Sequence, residues 1–130
     1  MAWKLGAIGG LTILMLLLPA RPSVAAEVVY FKIGEDLLAS CEGTAAGEPN
    51  ASTAEYLLCL GYLQAVADTD ATLAEWSVSP RQACIPKGAT RSNLRQSFLA
   101  WLAKRPDHLG FSAASLALAA FSETWPCKAP

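Results

Sequence analysis

The sequence is poor in the residues from which enzymes and metal proteins are usually built. It holds one histidine, His108, and neither a G-x-S-x-G elbow nor a glycine-rich phosphate loop. A lone imidazole supplies neither a nucleophile–base–acid set nor a metal-ligand cluster. Asp68 and Asp70 are the nearest approach to a carboxylate pair, but two residues apart on a helix they point in different directions and read as a solvated face. Cysteine is present without any C-x-x-C pair. The gaps between Cys41, Cys59, Cys84 and Cys127 are 18, 25 and 43 residues, which fits no zinc finger, thioredoxin-like motif or c-type haem attachment. Charge is scarce as well. With 16% charged residues, 53% hydrophobic residues and a formal net charge of −1, the chain is neither a disordered tail nor a charged coiled coil, and it lacks the basic excess of a nucleic-acid binder. The expectation is a protein with no catalytic residue, no metal, no cofactor and no nucleic-acid partner.

What the chain does have is an apolar front. Met1-Ala2-Trp3-Lys4 is followed by 16 uncharged residues, 5–20, then by Pro19 and Pro22 as helix breakers and by Ser23-Val24-Ala25-Ala26 with small residues at the −3 and −1 positions. That is the layout of a secretory signal peptide, and the run is shorter than the roughly 20 residues a membrane-spanning helix needs. Cleavage is expected after Ala26 or Ala25, giving residues 1–26 as leader and 27–130 as one domain with no membrane contact. Leu38-Ala39-Ser40-Cys41 imitates a lipobox, but Glu27, Lys32, Glu35 and Asp36 separate it from the apolar run and remove that reading.

Four cysteines in a small exported domain imply two disulfides, because the compartment is oxidising and the core thin. Val28-Val29-Tyr30-Phe31 reads as an extended lead-in packed on the domain. A first helix is expected over 35–41, with Leu37, Leu38 and Cys41 inward. The second helix starts from a capping box, Ser52-Thr53-Ala54-Glu55, and carries Leu57, Leu60, Gln64, Ala67 and Ala71 on its buried face, flanked by Tyr56, Leu63 and Val66. Gly61 falls within it, where close approach of another backbone would offset the loss of helix propensity. Residues 76–88, with Pro80 and Pro86, form a linker pinned by Cys84. Thr90 caps a third helix with Leu94, Phe98, Trp101 and Leu102 inward, and Lys104 and Arg105 stand at its negative end. After a short connection over 106–110, Ser112 caps a fourth helix whose seam runs Phe111, Ala114, Leu118, Phe121 and Trp125. The fold class is all-α: a small four-helix, disulfide-stapled bundle. In such a hairpin the start of the third helix lies beside the end of the fourth, so Cys84 pairs with Cys127, and Cys41 with Cys59.

Charge is unevenly placed. Residues 27–75 carry nine acids and one base, a net of −8, whereas residues 76–130 carry seven bases and two acids, a net of +5. Mutual attraction of the halves across the core is the simplest account, and a dipolar surface that steers a charged partner is the second.

The ordered set Cys59-Leu60-Gly61-Tyr62, Cys84-Ile85-Pro86, Arg105-Pro106 and Trp125-Pro126-Cys127, preceded by Gly34-Glu35-Asp36-Leu37-Leu38 and Cys41, resembles the Rap/Tai family of immunity proteins associated with type VI secretion. The resemblance covers about residues 33–127. It implies a small helical periplasmic protein of a Gram-negative bacterium that binds and blocks a cell-wall amidase injected by a sibling cell, in several members as a homodimer. The matching residues are cysteines, glycines and prolines, so recognition falls to positions the pattern leaves free. The candidates are Trp76, Arg81, Lys87 and Arg91 in the pinned linker and helix start, with Asp107 and His108 in the turn before the last helix. A periplasmic acid-stress chaperone, or another small disulfide-bonded binding protein without a toxin partner, is the alternative.

Overall fold

Each stretch of helix-forming sequence ends where proline, glycine or a turn removes the next backbone bond, and four helices result among the described residues. A computed structural model describes residues 29–42 and 53–128. The expected signal peptide, Val28 of the lead-in and Ser52 of the capping box lie outside the described residues. The helices are α1 (Gly34–Glu42), α2 (Thr53–Glu75), α3 (Arg91–Ala103) and α4 (Ala113–Thr124), with a 3₁₀ turn at Pro106–His108. Among the described residues there is no strand, only two isolated antiparallel bridges, Ile33 with Ser112 and Ala83 with Pro126. No helix among them is long and apolar enough to cross a membrane. The chain is a small all-α bundle with two disulfides.

Every helix touches every other. The shared centre consists of Leu37 and Cys41 of α1, Cys59 and Leu63 of α2, Phe98 of α3, and Ala113, Ala117, Ala120 and Phe121 of α4, all without solvent exposure. Three of the α4 residues are alanines on one stripe, and their small size lets α4 lie close to the other three helices. Enlarging any of them would displace a neighbour, because protein cores have no spare volume.

Cys41 is bonded to Cys59, with Cα atoms 5.1 Å apart, and Cys84 to Cys127, with Cα atoms 4.9 Å apart. This is the pairing the hairpin topology predicts. Closing loops of 18 and 43 residues contributes about 3 and about 4 kcal/mol in the chain-entropy account.

Thr90 caps α3 as expected, and the motif is reciprocal: Thr90 Oγ1 accepts from Asn93 N at 3.2 Å while Asn93 Oδ1 accepts from Thr90 N at 2.8 Å. The start of α1 is docked on the turn before α4 through main-chain atoms. Gly34 N donates to Phe111 O, Glu35 N to Leu109 O and Ala113 N to Lys32 O, at 2.9, 3.0 and 3.0 Å.

Several sequence expectations are corrected. The lead-in does not pack on the domain: Val29, Tyr30 and Phe31 are 74%, 52% and 103% exposed. On α2 the buried stripe is Cys59, Leu63 and Asp70, with Leu60 also buried and Val66 and Ala67 partly so, whereas Leu57 and Gln64 face solvent. Because Cys59 must meet Cys41, the helix turns by about one residue from the face its leucines suggest. On α4 the fully buried side is the alanine stripe; Phe111 precedes the helix and is exposed, and Ala114 and Leu118 are only half-buried. Ser112 occupies the N-cap position of α4, but its side chain makes no capping bond. Gly61 meets no neighbouring backbone; a Cβ there would enter open space.

Two glycines therefore respond oppositely to alanine. A Cβ on Gly34 would collide with Leu116 Cδ1 and approach Leu109 O. Gly61→Ala should raise stability by up to about 1 kcal/mol, and Gly34→Ala should lower it by about 1–3 kcal/mol, both read as shifts in urea midpoint at constant slope.

Candidate functional site

The segment between α2 and α3 forms no helix or strand of its own, so its shape depends on what ties it down. At its start α2 ends in a Schellman motif: Ser77 N donates to Ala74 O at 3.1 Å and Val78 N to Leu73 O at 2.9 Å. The left-handed position of that motif is filled by Ser77, at a φ of 58°, where glycine is the usual occupant. The turn projects Trp76 and Val78 outward, 69% and 66% exposed.

Asp70 makes the second tie. It is 6% exposed, and its carboxylate accepts from Gln82 N at 3.0 and 3.2 Å and from Ala83 N at 3.1 Å. The expectation of a solvated Asp68–Asp70 face fails at Asp70: a buried carboxylate needs donors around it, and the linker supplies two main-chain amides. Asp68 stays exposed. Next, Cys84 N donates to Trp125 O at 2.8 Å, beside the Ala83–Pro126 bridge and the Cys84–Cys127 disulfide. A turn from Ala89 N to Pro86 O at 2.9 Å and the Thr90 cap complete the anchorage.

Four of the six candidate residues belong to this pinned segment and the helix it enters. Trp76, Arg81, Lys87 and Arg91 are all exposed. Arg81 and Arg91 share a cleft of about 560 Å³ between α2 and α3 with Gln64, Asp68 and Thr90. Arg81 is partly committed, since its Nε donates to Ala83 O at 3.1 Å.

Asp107 and His108 lie elsewhere. They follow the far end of α3, whose 13 residues separate them from Arg91 by about 20 Å of helix. His108 stands edge-on to Trp101 with ring centroids 5.8 Å apart and lies 5.6 Å from Phe111, so much of its ring serves packing of the turn. Its Nδ1 hydrogen-bonds Asp107 Oδ1 at 3.1 Å, and this bond holds the Asp107 carboxyl below the usual carboxylate range. That contribution is present above the ordinary carboxylate range and is lost as pH falls through the lowered value. The ion pair between Arg105 Nη2 and Glu123 Oε2, at 2.9 Å, lies within the basic half, as does the His108–Asp107 contact, so neither links that half to the acidic one. Among the described residues no three His, Cys, Asp or Glu side chains converge as metal ligands would.

Sequence reasoning missed Val78, Ser77 and the holding role of Asp70. Val78 could have been found by the argument that singled out Trp76, as an apolar residue in a segment without periodicity. Asp70 could have been found from Cys59, because stepping inward from it by four, three and four residues reaches Leu63, Val66 and Asp70.

Among family models, the one for Rap1a immunity proteins matches residues 33–127. The chain belongs to the Rap1a immunity protein family. The Rap1a match opens at Ile33, where the bridge to Ser112 docks α1, and closes at Cys127, the last sulfur of the second disulfide. All four helices and both covalent ties thus lie within the Rap1a region. No curated protein and no solved structure matches the chain.

Removing the Asp70 carboxylate leaves two linker amides without their partner. Asp70→Ala should destabilise by about 2–3 kcal/mol, whereas Asp68→Asn should stay within about 0.5 kcal/mol of the parent. Ser77→Gly should relieve the left-handed turn and add up to about 1 kcal/mol. Thermal and urea unfolding of the three variants, side by side, check these values.

Proposed function

We propose that this Rap1a-family chain is a non-enzymatic periplasmic immunity protein that binds a cognate type VI secreted peptidoglycan amidase and occludes its active-site cleft. Residues 1–26 would direct export and be removed, leaving the domain that begins at residue 27. Family membership supports a role in immunity. The observation that carries the occlusion reading is the loop after α2, which presents exposed Trp76 and Val78 on a backbone held by Asp70, a bridge, a disulfide and a helix cap. A loop already fixed in one shape loses little entropy on binding. A large exposed aromatic at its start is the residue type that most often dominates interface energetics. Lys87 and Arg91, exposed on the basic half, would steer an acidic cleft rim toward it. Asp107 and His108 would form a separate, secondary contact at the far end of α3. Homodimerisation, which the Rap/Tai resemblance implies, belongs to the same reading and is measured by light scattering.

One observation favours a second reading. Tyr30, Phe31 and Phe111 are exposed apolar residues near the docked start of α1, a surface suited to holding unfolded clients as an acid-stress chaperone does. Suppression of client aggregation at low pH would favour that alternative.

The direct test expresses the cognate amidase in the periplasm of a host, with and without this chain, and follows lysis. Lysis prevented by the chain supports the reading; lysis unchanged by it, with both proteins present, overturns it. Within that assay system, Trp76→Ala should weaken amidase binding by about thirtyfold, the effect of a hot-spot truncation. Its melting temperature should barely move, because the side chain is exposed. Lys87→Glu combined with Arg91→Glu should slow association and flatten its salt dependence. Equal losses of binding and stability would instead make these residues structural.

A further inference from the structure

The two disulfides stand in opposite surroundings. Cys41 and Cys59 have no solvent exposure and belong to the core. Cys84 is exposed and Cys127 half-buried, and neither is part of that core. The charge around the outer pair also differs. Arg81 and Lys87 flank Cys84 in sequence, Lys128 follows Cys127, and residues 76–90 include no acid. Two acids on the neighbouring helices are already engaged, Asp70 by the amides of Gln82 and Ala83 and Glu123 by Arg105. A disulfide is reduced by thiolate attack on an accessible sulfur, and it is reduced faster when positive surroundings stabilise the thiolate that leaves. Burial withholds the inner bond from the same attack.

We propose that Cys84–Cys127 is a redox-sensitive latch on the loop carrying Trp76 and Val78, opened by dithiol reductants while Cys41–Cys59 and the helices remain intact. One thiolate of the dithiol attacks Sγ of Cys84, the more exposed residue of the pair. A mixed disulfide forms, the Cys84–Cys127 bond breaks, and Cys127 leaves as a thiolate that takes a proton from solvent. The second thiol of the reductant then attacks the reductant's own sulfur in the mixed disulfide and releases Cys84. Two electrons have passed to the protein, and the dithiol departs as a disulfide. Opening removes the covalent closure between residues 84 and 127, leaving the second half of the loop held by hydrogen bonds and by the packing of Ala83 and Ile85 on the core. As a regulation of the partner-binding loop, this rests on the reading above; the selective opening of the bond does not.

The test exposes the oxidised protein to a dithiothreitol series for one fixed short interval, quenches with iodoacetamide and maps each cysteine by mass spectrometry, following helical circular dichroism in parallel. Cys84 and Cys127 should alkylate at about tenfold lower dithiothreitol than Cys41 and Cys59, with the helical signal retained. Labelling of all four cysteines together, of Cys41 and Cys59 first, or only as helix is lost would overturn the proposal. The Cys84→Ser, Cys127→Ser double variant should keep the helical signal; if it fails to fold, the labelling order in the parent protein still decides. Ordered opening without any amidase inhibition by the oxidised form would sink the functional reading and spare the latch, whereas inhibition with simultaneous opening would do the reverse.

Discussion

Taking the Asp70 carboxylate out of water obliges the chain to surround it with donors, and the course of the loop after α2 follows from that obligation. The donors available are the amides of Gln82 and Ala83, so the chain must fold back along α2 to deliver them. Once they are delivered, Cys84 is carried to the end of α4, where its amide meets Trp125 O and its sulfur meets Cys127. α3 then starts from the Thr90 cap and packs on both α2 and α4. A charge buried at the C-terminal part of one helix in this way sets where the next helix begins.

Much of this was legible in the sequence, and the parts that were not share a cause. Four helices could be placed because proline, glycine and capping residues punctuate them, and the sulfur pairing followed from hairpin topology alone. The phase of α2 could not be read from its leucines, because Leu57, Leu58, Leu60 and Leu63 lie all around the helix and define no single face. The covalent partner of Cys59 decides it, turning Asp70 inward with the same rotation. On α4 the expected seam runs through Phe111, Ala114, Leu118, Phe121 and Trp125, yet the fully buried side carries Ala113, Ala117 and Ala120, whose smallness allows the helices to close there. Gly61 shows the converse: a glycine inside a helix suggested a close approach, but the position faces open space.

The candidate residues divided along the same line. Trp76, chosen for lying outside any helical stripe, and Arg81, Lys87 and Arg91, chosen for charge, are exposed on one pinned segment and the helix it enters. Those chosen as turn residues, Asp107 and His108, sit at the opposite end of α3, where His108 packs between Trp101 and Phe111. Spacing in sequence located both groups but carried no information that a helix length stands between them.

The attachments of the loop after α2 are made largely by its main chain: the amides of Gln82, Ala83, Cys84 and Ala89, together with one sulfur. The side chains of Trp76, Val78 and Lys87 make none of these bonds. Architecture and vocabulary are thus written in different atoms, so the outward side chains can be exchanged one by one while the scaffold beneath keeps its form. A defence protein facing an adversary that changes its surface could in this way acquire a new specificity without first having to solve its folding again.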